Sequence, residues 1–229
     1  MKFTPGPMVS AVSGSVGGQT FSRNRGGQYV RARAIPITST TTYALAAKAR
    51  LSTASSAWQG LTAGERQAWA QWANANPVVN TLGNSITLTG QQGFVGNHTR
   101  LSLAGVATLT TPPIIPAPIS LTTATQDGDI GTGDVDLTFA ASPLGAAEYL
   151  WMRAAVTNSA GINYIQNLLR FIGVSGAAAT TPYDNQAQIE SRLGTLVVGQ
   201  TLHVEASVFS SVSGLLSQPI KTSVVITTT

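Results

Sequence analysis

The sequence predicts an α+β chain in several parts: an extended N-terminal arm, a small helical region and a C-terminal antiparallel β-sandwich. Three observations predict it. Glycine, serine, threonine and proline crowd residues 1–42, and alanine- and tryptophan-bearing segments with helical spacing follow over 43–106. From residue 119 onward, short alternating apolar and polar runs are separated by turn residues. Between the last two, ATLTTPPIIPAP holds four prolines in residues 107–118. Proline fixes φ and removes an amide donor, so this stretch is expected to be an extended connector. The divisions expected are therefore 1–42, 43–106, 107–118 and 119–229.

In the arm, Gly14, Gly17, Gly18, Gly26 and Gly27 interrupt any periodic run. QTFSRNRGGQYVRARAIP sets Tyr29 and Arg31 against Val30 and Ala32, which predicts a short strand or hairpin around Gly26 and Gly27. So few apolar side chains cannot offset the ordering entropy of this glycine content. The arm is expected to be disordered alone and to order on a partner.

Residues 43–60, YALAAKARLSTASSAWQG, predict a first helix that ends at Gly60. Thr62 with Glu65 three residues on forms a capping box, so a second helix should run from there to about Asn76, where Pro77 stops it. Trp69, Trp72 and Ala73 fall on one face of it, and Trp58, Leu61, Trp69 and Trp72 are the expected helical core. GQQGFVGNHTRLSLAG is a weaker third helix because of its glycines, after a turn at Leu82-Gly83-Asn84.

Strands are expected over 119–124, 135–141, 148–156, 166–174, 201–210 and 220–228. Val135-Asp136-Leu137-Thr138-Phe139 and Leu202-His203-Val204-Glu205-Ala206 alternate, so each strand should turn one face to a core. Six or seven such strands suggest a sandwich.

Composition narrows the function classes. Of 229 residues 43% are apolar and 10% charged, against roughly 25% charged in ordinary soluble domains. Alanine, serine, threonine, glycine and glutamine fill the difference, which suits a subunit packed in a lattice. The absence of cysteine excludes disulfides, thiolate metal sites and a cysteine nucleophile. The start MKFTPGPMVS places Pro, Gly and Pro where a signal peptide needs an apolar run, and no stretch reaches the roughly 18 apolar residues of a membrane span. The protein is therefore expected to be made and kept in the cytoplasm, with no membrane partner. Residues 1–100 carry nine basic residues against Glu65 alone, a net +8, whereas the remainder has four basic and eight acidic, a net −4. Such asymmetry favours head-to-tail contact between copies, or attachment of the basic half to an acidic surface or nucleic acid.

Candidate chemistry is sparse. Asp127, Asp129, Asp134 and Asp136 lie among glycines, a conceivable calcium loop, but their spacing is not that of an EF-hand and aspartate with glycine is ordinary turn composition. His98 and His203 belong to different expected domains, and no nucleophile elbow or Ser-x-x-Lys motif is in place. Neither an enzyme nor a cofactor or metal is expected. Phe21, Arg23, Arg25, Gly26, Gly27, Tyr29, Arg31 and Arg33 form the best functional cluster. It could follow a phosphate backbone, but a glycine-rich basic arm suits pairing with carboxylates of a neighbouring subunit better.

SGSVGGQTFSRNRGGQYVRARAIP, then LTAGERQAWAQWAN and GFVGNHTRLSLAG, resemble a group of virion-associated structural proteins of tailed bacteriophages over about residues 10–105. The matching positions are Gly26, Gly27, Tyr29, Val30 and Arg31 in the arm, and Leu61, Thr62, Arg66 and Trp69 in the helix. The continuation Ala34-Ile35-Pro36-Ile37-Thr38 departs from the group's proline-containing turn. The second half is similar in pattern to a fibronectin type III or immunoglobulin-like sandwich. The resemblance implies a virion component. The leading expectation is a capsid-associated decoration or cement protein, a minor capsid protein bound through its arm to capsid or tail subunits and to copies of itself. The alternatives are a tail or baseplate component and, from another class, a nucleic-acid-binding protein that uses the arginine arm.

Overall fold

The computed structural model describes residues 12–24, 27–34, 40–79, 84–133, 135–140, 142–159, 161–162 and 164–228, except the side chains of Asn24 and Val79. The chain forms two compact units, Met1–Ala46 and Ala47–Thr229.

In the first unit the extended arm is corrected over residues 14–32 to a three-stranded antiparallel sheet. Its strands are β1 (Gly14–Val16), β2 (Gln19–Asn24) and β3 (Gly27–Ala32), in that order. The expected hairpin is the β2–β3 pair, with Asn24 opposite Gly27. The extra strand comes from Gly17-Gly18, which closes a two-residue turn between the paired Val16 and Gln19. Gly17 has φ +57°, the left-handed conformation that primed hairpin turns require.

The second unit begins within helix α1 (Thr42–Gly60), whose only fully buried residue among those described is Ala54. Helix α2 (Ala63–Ala75) starts at the expected capping box: Thr62 Oγ1 accepts from the Glu65 amide at 3.3 Å and Glu65 Oε2 accepts from the Thr62 amide at 2.8 Å. A short antiparallel pair follows, β4 (Val78–Val79) with β5 (Ser85–Ile86). Helix α3 (Gly90–Leu103) has a capping box of its own, Thr89 with Gln92, which offsets the poor helix propensity of its glycines. Those glycines admit α2 at close range: a Cβ on Gly90 would lie 2.7 Å from the Ala70 amide nitrogen, and one on Gly93 would lie 3.1 Å from the Trp72 ring.

Two antiparallel sheets follow. One has the order β10 (Tyr183–Asp184), β7 (Asp136–Ala140), β6 (Thr123–Gln126); the other has β12 (Ile220–Val225), β11 (Thr201–Ser210), β8 (Glu148–Thr157), β9 (Arg170–Ala177). Leu137 and Phe139 of the first share one core with Leu150, Met152, Leu202 and Val204 of the second. The alternation expected in β7 is observed, with Leu137 and Phe139 buried and Thr138 exposed; in β11 Leu202, Val204 and Ala206 fill the core as expected, but the opposite face is covered too, with Glu205 buried and His203 half-buried. A helix not anticipated, α4 (Gln186–Leu193), adds Ile189 to this core.

Two expected strands shift. Strand β6 begins at Thr123 rather than residue 119, because the ladder to β7 opens with the Thr122 amide on the Ala140 carbonyl, and Ile119 projects into solvent. Strand β9 begins at Arg170 rather than residue 166, because Leu168 and Leu169 turn back to the Ile165 carbonyl.

Residues 107–118 contain neither helix nor strand, as their prolines require. They do not hold the helices away from the sheets. Trp69 Nε1 donates to the Thr110 carbonyl at 2.7 Å, and Asn97 Nδ2 donates to the Ser213 carbonyl at 2.6 Å beyond the end of β11. Leu101 of α3 is buried with Trp151 and Phe209 on the outer face of the four-stranded sheet.

Substituting two glycines of α3 should have opposite effects. Gly90→Ala forces a methyl into the α2 backbone and should cost about 1–3 kcal/mol. At Gly96 a Cβ meets open space, so Gly96→Ala should stabilise by about 0.5–1 kcal/mol. Thermal melts should move in opposite directions; equal shifts would refute the close α2–α3 approach.

Candidate functional site

The residues singled out in the sequence fall into two structural groups. In the first unit, strand pairing sets the faces of the sheet, because directly opposed residues share a face and successive residues alternate. Phe21 opposes Val30 and Arg23 opposes Gln28, so Phe21 and Arg23 stand on one face. Tyr29 opposes Ser22 and Arg31 opposes Thr20, which puts Tyr29 and Arg31 on the other. The Arg33 amide continues the ladder to the Gly18 carbonyl at 2.8 Å, and among the described residues the guanidiniums of Arg23, Arg31 and Arg33 make no ion pair. All three residues are exposed. The sheet thus carries basic charge on both faces. Gly27, with φ +107°, opens β3, and Arg25 and Gly26 lie outside the described residues.

In the second unit, Trp58, Leu61, Trp69 and Trp72 meet in one cluster around Phe94. Trp69 is fully buried, with its ring centroid 5.4 Å from both Trp72 and Phe94 in edge-on contacts, and Trp58 lies 5.5 Å from Phe94. Leu61 is buried, while Trp58 and Trp72 are half-buried at the margin. Arg66 donates to the Gln59 carbonyl at 2.6 Å, with its guanidinium 6.0 Å from the Trp58 ring. Phe94, the centre of this cluster, was legible only as part of the weaker third helix.

The aspartates of the glycine-rich loop hold turns: Asp127 Oδ1 accepts from the Gly128 amide at 2.6 Å and Asp129 Oδ1 from the Gly131 amide at 2.8 Å. Among the described residues no three acidic or histidine side chains gather around a point; Asp134 lies outside them. Hydrogen bonds from Thr62 hold the half-buried Glu65 carboxyl below its ordinary range. On the outer face of the four-stranded sheet, the buried Glu205 pairs with Arg153 at 2.9 Å and Lys221 at 3.7 Å. His203 reaches Thr157 Oγ1 at 3.3 Å, and its pKa is lowered by burial.

A groove of about 650 Å³ lies between α2, α3, residues 113–117 and the turn after β11. Its one charged residue among those described is Arg100, and burial pushes that guanidinium below its ordinary pKa. Sequence reasoning counted Arg100 only as part of the basic half; its position on α3 facing the proline-rich segment left no local signal.

The chain matches no protein-family model, no curated protein and no solved structure. Its chemistry is therefore read from its own residues. No helix among the described residues is long and apolar enough to cross a membrane.

His98 provides a pH test. It is buried beside Phe94, its Nδ1 meets no hydrogen-bond partner among the described residues, and burial lowers its pKa from the ordinary 6.5. The unfolded chain then takes up the proton first, so the stability that the neutral ring contributes is complete above about pH 6.5 and is lost as pH falls toward the folded value. His98→Leu should flatten this acid loss, leaving only the same-direction contribution of His203. Melts at pH 7.5 and 5.5 check it; an equal acid-induced drop in Tm for both proteins would contradict the assignment.

Proposed function

We propose that this chain is a non-enzymatic structural protein of a bacteriophage particle, a decoration or cement protein of the head that grips neighbouring subunits through its basic N-terminal sheet. One observation carries the reading: Arg23 on one face and Arg31 and Arg33 on the other are exposed and, among the described residues, meet no carboxylate. A surface that follows nucleic acid gathers its cations into one stripe along the phosphates. Charges divided between two faces suit acidic protein surfaces instead. The low charged fraction, 10% of the chain, and the resemblance of residues 10–105 to virion proteins support the same reading.

For the two C-terminal sheets we read a sandwich of the fibronectin type III kind. Lettered A to G in chain order, strands β6 to β12 place A, B and E in one sheet and C, D, F and G in the other. The constant immunoglobulin arrangement puts D with A, B and E; here the fourth strand, β9, pairs with the third, which favours fibronectin type III of the two. Such a module serves as a spacer or presenting domain, with the basic sheet as the anchor.

Deleting residues 1–42 should abolish co-sedimentation with particles, and Arg23→Glu should weaken it separately from Arg31→Glu with Arg33→Glu. The full-length protein should fractionate with heads after heads and tails are separated. Normal incorporation of the truncated chain, recovery with tails, or steeply salt-dependent binding to random DNA would each overturn this assignment.

A further inference from the structure

We propose that the groove around Arg100 binds a peptide segment of a partner protein, one that places an aspartate or glutamate between apolar side chains. This is a second contact, separate from the basic sheet.

Trp72, Leu88, Pro113, Ile115 and Leu216 are among its apolar lining residues, and no acidic residue among those described lines the groove. Arg100 enters from α3. Its Nε donates to the Gly214 carbonyl at 3.0 Å, and among the described residues its two outer nitrogens have neither a hydrogen-bond nor an ion-pair partner. A guanidinium drawn partly out of water costs free energy until it is paired, and its two outer donors fit the two oxygens of a carboxylate. Asn76 and Gln92, the other polar residues of the wall, are neutral; Asn76 is already bonded to the Trp72 carbonyl and Gln92 to Thr89. The charge that complements this groove is a single negative one.

The rim narrows the occupant to a peptide. Among the described residues, 111–119 make no hydrogen bond, so the amides of Ile114, Ile115 and Ala117, all residues of the groove lining, are left for a ligand to use. A peptide main chain offers alternating donors and acceptors to such an edge, which a fatty acid does not. Ile114 is 100% exposed and Ile115 53% exposed on this lip, an apolar pair that an incoming side chain would cover. A volume of about 650 Å³ holds a few side chains, in keeping with a short segment in place of a folded domain.

The test begins with the full chain as bait for a displayed library of random dodecapeptides, followed by fluorescence anisotropy with the synthetic consensus peptide. Selected peptides should share an acidic residue flanked by apolar ones. Replacing that residue by its amide should weaken binding at least tenfold, and Arg100→Gln should weaken the acidic peptide by a similar factor while the two peptides then bind alike. Ile114→Asp, at a fully exposed position that leaves folding intact, should also reduce binding at least tenfold, so the proposal stays testable if Arg100→Gln misfolds. Failure to select any peptide would overturn it, as would equal binding of acidic and amide peptides. Concentration-dependent self-association abolished by Ile114→Asp would assign the groove to a second copy and overturn it as well.

Discussion

Strands β8 and β11 carry large aromatic side chains on the face turned away from the core, and covering that patch is the constraint on which the larger unit depends. Their inner faces, with Leu150 and Met152 opposite Val208 and Ala206, fill the core between the two sheets. Their outer faces carry Trp151 and Phe209, with ring centroids 5.6 Å apart, and Phe171 lies 4.6 Å from Trp151. An aromatic side chain of this size removes roughly 150–250 Å² from water, which at about 25 cal/mol per Å² is on the order of 4–6 kcal/mol per ring as an upper bound. The ion pairs of Glu205 farther along the same face fall far below that, since a partly exposed pair contributes about 0–1 kcal/mol. The aromatic patch therefore decides what packs there. Leu101 and Leu103 of α3, with Val106 and Leu109 beyond its end, close over it.

Hydrophobic cover attracts without fixing position, and polar contacts at the edge of the patch supply the register. Asn97 is 1% exposed and donates to the Ser213 carbonyl at 2.6 Å; Arg100, one turn on, donates to Gly214. Gly214 has φ +65°, and any Cβ there would fall 2.6 Å from the Asn97 amide. A side chain at 214 would thus be strained in its backbone and would collide with the group that locks α3. Leaving the Asn97 amide without its acceptor costs about 1–3 kcal/mol, enough to select one seating of α3 among several that bury Leu101 equally well.

The sequence was most legible where local chemistry and burial agree. Helices α1 and α2 follow from alanine content, the Thr62–Glu65 box and Pro77, β7 and the inner face of β11 from alternation, and β8 and β12 from strand-forming runs bounded by turn residues. Three kinds of feature escaped. Strand β1 depends on reading Gly17-Gly18 as a hairpin turn rather than as a breaker. Helix α4 and the two-residue strand β10 are too short for periodicity to register, although Ile189, Leu193 and Gly194 carry the spacing of a short capped helix. The seating of α3 on the sheet rests on contacts such as Asn97 to Ser213, 116 residues apart, which no local pattern encodes. The basic cluster was legible in composition, but its division between two faces required the β2–β3 register, because Phe21 and Arg23 lie on a different strand from Tyr29 and Arg31 and a one-residue slip would reverse their facing.

That division bears on the kind of partner the first unit can have. Among its described residues only Gln28 is fully buried, so the small sheet gains little from its own core, and three strands need an apolar face or an external surface to be stable in water. A partner that meets one face leaves the guanidiniums of the other in solvent, where screening at physiological salt reduces their attraction over about 8 Å. Both faces contribute only if the sheet enters a cleft with carboxylates on either side. A cleft of that kind arises where two subunits adjoin, which is the place a cement protein occupies on the proposed reading. It also gives a physical role to the two-stranded arrangement of arginines: each face would hold a different subunit, and the sheet would join them.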